Sequence, residues 1–333
     1  MSRTWISPMR RRAIAALLII IATAPMARAQ AYVPAKGEGA VSFLYQDIFV
    51  KNHYFGSTAV DNGQITSQLL VLDVGYGITD KLAVSAGIPW VAARYDGTKP
   101  HPIAWNNPTP SPLDDGTYHS TFQDFRFDVR YNVTRRGVAL TPFVTTTIPS
   151  HDYTYFAHAA PGLRLREMQF GVAAARLLDN LVPGLFVQAR YGYAVAQKPV
   201  AFAHNRSVVD FEVGYFVTPR LRVLALTTGQ RAHGGIDLTA ASRAELGALF
   251  EHHDQIARVN FLNQGAGVSY SLSEKIDVYG SLLRTMSERN GHAIAHGVSA
   301  GVSWSFSTRR AGDRAIANAD RSLAKCLCEK QAS

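Results

Sequence analysis

Between Asp124 and Tyr131, four charged residues (Asp124, Arg126, Asp128 and Arg130) alternate with Phe125, Phe127, Val129 and Tyr131. Successive side chains of a strand point to opposite faces, so two acids and two arginines share one face and four apolar groups the other. The same placement against apolar neighbours recurs for Asp73, Glu167, Gln169, Gln188, Arg190, Asp210, Glu212, Arg222 and Asn260. Opposite charges facing a wet interior can filter a small solute by its charge. They can equally cross-link and fill a narrow lumen. Asp124, Arg126, Asp128, Arg130, Glu167, Arg190, Asp210 and Glu212 are the candidate filter.

Imidazole is the second chemical resource. His53, His101, His119, His151, His158, His204, His233, His252, His253, His292 and His296 all fall between the apolar-periodic segments or at one set of their ends. Gathered imidazoles bind transition metals or respond to acid. His151, His252, His253 and His292 are the candidate metal ligands on such a surface, although histidine also suits interfacial loops without any ligand. A hydrolase needs a serine activated by histidine. His119 and Ser120 are adjacent, which sends them to opposite faces of a strand. Asp114-Asp115, His151-Asp152 and His253-Asp254 are dipeptides common in loops. The sequence therefore offers no catalytic set and no cofactor site.

The elements that must position these groups follow one grammar. In the segment ending at Phe306, the residues Val298, Ala300, Val302, Trp304 and Phe306 face one way. Gly297, Ser299, Gly301, Ser303 and Ser305 face the other. A strand apolar on one side and small and polar on the other suits a wall between lipid and water. About twelve such segments occur, the clearest carrying Leu70, Leu72, Val74 and Tyr76, or Val209, Phe211, Val213 and Tyr215. Short links such as Thr218-Pro219-Arg220 alternate with long ones such as residues 91–120 and 230–255. The expected fold is an all-β, transmembrane, antiparallel up-and-down β-barrel with long extracellular loops and short periplasmic turns. An even strand count leaves no edge unpaired. Pro142 is the difficulty, since it cannot donate to a ladder; a bulge or the start of a strand must absorb it. The tenth strand is expected over residues 256–272.

Arg10, Arg11 and Arg12 precede an apolar stretch ending near Ala24, and Ala27-Arg28-Ala29 offers a cleavage site, so residues 1–29 read as a secretory signal. The stretch is shorter than the roughly 20 residues of a spanning helix. The barrel then occupies residues 30–306, and residues 307–333 read as a basic periplasmic tail, with Ile316, Leu323 and Leu327 spaced for one helical stripe. The formal charge of +9 falls to +4 once Arg3, Arg10, Arg11, Arg12 and Arg28 are removed. Six Lys/Arg against three Asp/Glu after Phe306 leave the barrel near +1. No basic face with base-reading elements points to nucleic acid. Cys326 and Cys328, both in the tail, are the only cysteines. Their spacing is too close for an easy internal disulfide in a helix.

Gly87-Ile88-Pro89-Trp90, residues Thr147-Ile148-Pro149-Ser150-His151-Asp152-Tyr153, His253-Asp254-Gln255 and Ser287-Glu288-Arg289-Asn290-Gly291-His292 complete the pattern, with the Ser303-Trp304-Ser305-Phe306 end. Together they resemble the outer-membrane transporter family named after the meta-pathway of phenol degradation. Glu288 stands where the resemblance leads one to expect Gly. The resemblance implies passage of small, often aromatic or apolar, organic solutes across the outer membrane of a Gram-negative bacterium, with no catalytic residues. The expected partners are outer-membrane lipid, the solute, and the barrel-assembly machinery through the Trp304–Phe306 strand end. The alternatives are a closed barrel whose histidine-rich outer surface binds metal or a partner, and, third, an outer-membrane hydrolase. Fatty-acid and hydrocarbon importers carry an N-terminal plug. About eight residues between Gln30 and the first strand cannot build one, so a gate is expected from the outer loops, foremost residues 91–120.

Overall fold

The computed structural model describes residues 31–309 apart from Arg136. The expected signal segment, the tail beyond Arg309, Cys326 and Cys328 lie outside them. The period-2 segments become twelve strands: β1 (Glu38–Phe55), β2 (Gln64–Gly77), β3 (Leu82–Asp96), β4 (His119–Phe122 continued by Phe125–Tyr131), β5 (Ala139–Ile148), β6 (Glu167–Leu177), β7 (Leu185–Ala196), β8 (Arg206–Phe216), β9 (Leu221–Ala232), β10 (Asn260–Ser271), β11 (Ile276–Arg289) and β12 (His292–Ser307). Each pairs antiparallel with its sequence neighbour, and β12 returns to β1 from Glu38↔Ser307 to His53↔His292. The cylinder is closed, so no backbone edge faces lipid. The tenth strand begins at Asn260; Ile256 instead ends a one-turn helix, His253–Ile256.

Alternation sorts the side chains. Phe43, Leu70, Phe127, Val129, Phe170, Phe211, Val268, Leu282, Val298 and Trp304 are exposed on the outer wall. An exposed apolar belt of this extent would be costly in water and is what lipid requires. Inside, Asp128, Thr145, Gln188, Asn263, Ser269, Asp277, Ser299 and Ser303 are buried.

Both strand prolines lie where β4 slips by one residue. Leu140 exchanges its backbone bonds with Thr134 and Val133, so the Pro142 nitrogen faces the same side, toward β4. There the register steps from Arg130↔Phe143 to Thr134↔Leu140, and the missing donor falls in the step. On the other flank of β4 the pairing steps from Gly87↔Arg126 to Trp90↔Phe122, and the Pro89 carbonyl accepts from Gln123 N at 2.9 Å. Each proline thus costs no ladder bond.

The two mouths are built differently. At the periplasmic end, residues 31–37 cross the opening. The Ala31 carbonyl accepts from Thr141 Oγ1 at 2.6 Å and Asn132 Nδ2 at 3.3 Å, and Arg135 donates to the Val33 carbonyl. Ala31 packs with Ala139, Ala173 and Ala175. This short strap therefore lies across the periplasmic exit. At the outer end three loops, residues 97–118, 149–166 and 233–259, pack into one cap. Leu238, Phe250 and Ala257 form its core with Phe55, Trp105 and Ile236 against them. A second cluster of Val50, Ile65, Ala93, Tyr95 and Ala159 joins cap to wall. The loop 97–118 therefore builds the outer cap together with two others.

Candidate functional site

Asp128 and Arg130 of the charged face predicted on β4 form a network inside the barrel with Arg190 of β7. Asp128, with its side chain 6% exposed, accepts from Thr145 Oγ1 at 2.6 Å and pairs with Arg130 at 3.0 Å and Arg190 at 3.3 Å. Arg190 also donates to Thr145 at 2.8 Å and lies 3.5 Å above the Phe143 ring. A buried carboxylate that accepts from a hydroxyl and one guanidinium and is ion-paired with a second has its charge compensated, which is the condition for tolerating it there. Arg126 differs. Its side chain is 57% exposed and reaches Asp73 at 3.6 Å, crossing over β3. That crossing is possible because residue 87 is glycine: a Cβ there would stand 3.2 Å from Asp73 Oδ2.

The remaining predicted filter residues spread along the same arc of strands. Asp210 is the register partner of Arg190 and accepts from Thr228 at 3.0 Å. Glu212 lies opposite Gln188. Asp124 and Glu167 are at the outer end, the first bonded by the Tyr153 hydroxyl and the second paired with Arg206. Arg126, Asp128, Arg130 and Arg190 thus meet in the middle of the lumen, and Asp124 and Glu167 do not join them. A further pair, Arg222 and Asp277, lies near the periplasmic end, where Ser271 also donates to Asp277.

The opposite arc, β9 to β12 and β1 to β2, has another character. Ser42 and Ser303 share a hydrogen bond of 2.9 Å, and Gln46 donates to Ser299 at 2.9 Å. The same inward positions carry Leu44, Ile48, Leu69, Val71, Leu226 and Leu283, all half-buried. Apart from Asp73 on β2 and the Arg222–Asp277 pair near the periplasmic end, this arc mixes hydroxyls with aliphatic groups, and the guanidinium groups of Arg126, Arg130 and Arg190 come from the other.

Of the predicted metal set, the structure brings His253 and His292 together and leaves His151 and His252 apart. His151 bonds Thr121 and Ser150 on the surface. His252 bonds Gln255 and stacks on Tyr155. The concentration of histidine lies under the cap rather than on the outer surface: His53, His158 and His253 are 4%, 8% and 2% exposed. His101 stacks on His158 with centroids 4.0 Å apart, and His53 lies 4.1 Å from His292. Alternation alone would turn His53 toward lipid beside Phe43 and Tyr45. Register shifts between Phe49 and Asn52 in the β1–β12 ladder reverse it and face His53 and His292 inward. Sequence spacing carries no sign of this.

Burial favours the neutral form of the His101 and His158 rings. Burial, with His158 adjacent, pushes His101 down to about 3, and burial also lowers His158. Burial works against a charged Asp254, but the adjacent His253 ring, 3.3 Å away, leads the effects that hold that carboxyl below its usual range. Asp114 serves as a clamp: its carboxylate accepts from the backbone N–H groups of His101, His158 and Ala159 at 2.9–3.1 Å, binding two loops together.

For hydrolytic chemistry, His119 and Ser120 point to opposite faces of β4, and His119 bonds Asp115 at 2.9 Å. Asp152 pairs with Arg164. On the outer wall Ser207 Oγ lies 2.7 Å from His233 Nε2, but the same hydroxyl lies 3.0 Å from Tyr191 OH. Among the described contacts of His233 no carboxylate orients the ring, which a serine nucleophile requires.

No family model matches the sequence, and no curated protein sequence matches it. Solved structures do. A crystal structure of an outer membrane channel from Pseudomonas putida F1 superposes with a TM-score of 0.63, 14% identity, and coverage of 85% of this chain and 99% of that one. The NanC porin aligns with a TM-score of 0.44 and 11% identity over 79% of this chain and 98% of that one. The KdgM porin in complex with disordered oligogalacturonate aligns at 0.42 and 8% over 80% and 99%. At these identities the likeness is one of fold: the chain shares the outer-membrane barrel architecture.

Proposed function

We propose that the protein is a passive outer-membrane channel for small organic solutes that combine an apolar or aromatic body with a polar or charged group. The observation that carries this reading is the two-sided lumen. The guanidinium groups of Arg126, Arg130 and Arg190 lie on one arc, with leucine, isoleucine and serine side chains on the other. An amphipathic solute matches both sides at once, whereas a sugar leaves the aliphatic arc uncovered. The outer cap and the 31–37 strap are the gates. Residues Asp124, Arg126, Asp128, Arg130, Glu167, Arg190, Asp210 and Glu212 line or support the charged arc. The family named after the meta-pathway of phenol degradation is consistent with that solute class. The exported chain loses its leader near Ala29 and reaches the outer membrane by docking its Trp304–Phe306 strand end on the assembly machinery.

The test is osmotic swelling of proteoliposomes in benzoate and in a neutral sugar of similar size. Benzoate entering faster than the sugar supports the reading. Rates for both solutes equal to those of protein-free vesicles, with folded barrel present, would sink it.

A further inference from the structure

Two triads of metal-ligand type share His53 beneath the cap. One is His53, His158 and His292; the other is His53, His253 and Asp254. In each, the candidate ligand atoms lie within 4.8 Å of one another. Ligands about 2 Å from a zinc-sized ion stand roughly 3.4 Å apart, so side-chain rotation of about an ångström closes either set.

The hydrogen bonds around these rings leave the ligand nitrogens available. The Nε2–H of His158 donates to the Lys99 carbonyl at 3.0 Å, which puts the lone pair on Nδ1. The Nδ1–H of His253 donates to the Phe250 carbonyl at 2.9 Å, which puts the lone pair on Nε2, 3.3 Å from Asp254 Oδ1. Orienting bonds of this kind, from the far nitrogen to a backbone carbonyl, characterise metal-bound histidine. Meanwhile Nε2 of His53 and Nε2 of His292 are buried without a hydrogen-bond partner. A polar atom stranded in this way is destabilising, and converging orphans call for an occupant.

We infer that the cap holds one transition-metal ion of the zinc class, ligated by His53, His158 and His292, with the adjoining His253–Asp254 pair supplying the fourth position. Imidazole-rich sites with one carboxylate suit zinc, cobalt or nickel over magnesium or calcium. The ligands come from the wall strands β1 and β12 and from loops 149–166 and 233–259, so the ion staples the cap to the barrel. The site does not depend on what the lumen conducts.

The experiment uses the full-length chain expressed into outer membranes, extracted in detergent, stripped with EDTA and titrated with Co2+. Its visible absorption reports coordination by nitrogen and oxygen. One Co2+ per barrel, displaced by Zn2+, is expected, with affinity falling more than about 100-fold in His53→Ala and His292→Ala. His119→Ala and His151→Ala, outside the cluster, should bind as the parent does. Heat-modifiable gel migration checks folding, and His53→Gln and His292→Gln replace any alanine variant that does not fold. Zn2+ should also slow hydrogen exchange in residues 149–166 and 233–259. Absence of a cobalt band in folded protein overturns the site, as does a loss shared equally by the His119 and His151 variants. Binding without slowed exchange overturns the staple.

Discussion

Arg126→Ala separates the filter from the scaffold. Its guanidinium is the most solvated member of the charged network, 57% exposed, and Asp73 beside it is 33% exposed. Removing it deletes one positive charge and strips Asp73 of its partner at 3.6 Å, so the local potential moves toward negative. For an ion passing about 5 Å away in a wet lumen of effective dielectric ~40–80, one unit charge is worth about 1–2 kcal/mol. That corresponds to a roughly four- to twenty-fold rise in cation permeability and a fall of similar size for anions at low salt, both shrinking as salt screens them. Arg130→Ala should behave differently. Arg130 is 15% exposed and ion-paired with a buried Asp128 that keeps Arg190 and Thr145, so the main loss is stability, with a smaller change in selectivity. Reversal potentials in planar bilayers under a salt gradient measure the first effect, and urea unfolding in lipid vesicles the second. Conducting Arg126→Ala channels with the parental reversal potential would refute the placement of Arg126 on the ion path.

Thr145→Val removes a hydroxyl shared by Asp128 and Arg190 and should lower unfolding stability by about 1–3 kcal/mol, read from urea midpoints. Pro142→Ala should change stability by less than about 0.5 kcal/mol, because the proline occupies a register step; a loss of several kcal/mol would contradict that placement. Deleting residues 31–35 should raise conductance without preventing barrel formation, and unchanged conductance would show that the strap does not restrict the exit. His204 is buried in the 197–205 loop, and its pKa is lowered to about 4 by burial and then by Arg206. The unfolded chain takes up the proton first as pH falls below about 6.5, so the loop loses stability between there and about 4, by at most on the order of 3 kcal/mol. His204→Gln should narrow the gap in melting temperature between neutral and acid pH, and an equal gap would dismiss this account.

The barrel was legible because its signal is local. Phe127 and Val129 against Arg126 and Asp128, or Val302 and Trp304 against Gly301 and Ser303, need only the pleat to assign their faces, and the structure assigns them so. The charged arc was legible for the same reason, and what the pattern could not give was solvation. Arg126 and Arg130 look equivalent in sequence, yet Gly87 opens a path for one while Thr145 and Arg190 enclose the surroundings of the other. The histidine cluster was only half visible. Its members come from two wall strands and three loops, brought together by tertiary packing. Two of them face inward only because a register shift interrupts the alternation. Residues 31–37 carry no periodic signal, so their passage across the exit to Thr141 could not be read from spacing.

The pairing of β1 with β12 has a consequence for biogenesis. Ser42 and Ser303, hydroxyl to hydroxyl across that seam, are 261 residues apart in the chain. For a structureless chain, closing a loop that long costs about 5 kcal/mol from the logarithmic length dependence alone. Hairpins zipped in order bring the ends near each other and make the seam nearly local, so it should form last. A chain interrupted anywhere before His292 therefore presents two raw strand edges, one on β1 and one wherever synthesis stopped. Shortened translation products would be aggregation-prone fragments rather than smaller channels, and the cell's periplasmic proteases, more than the membrane, would decide their fate.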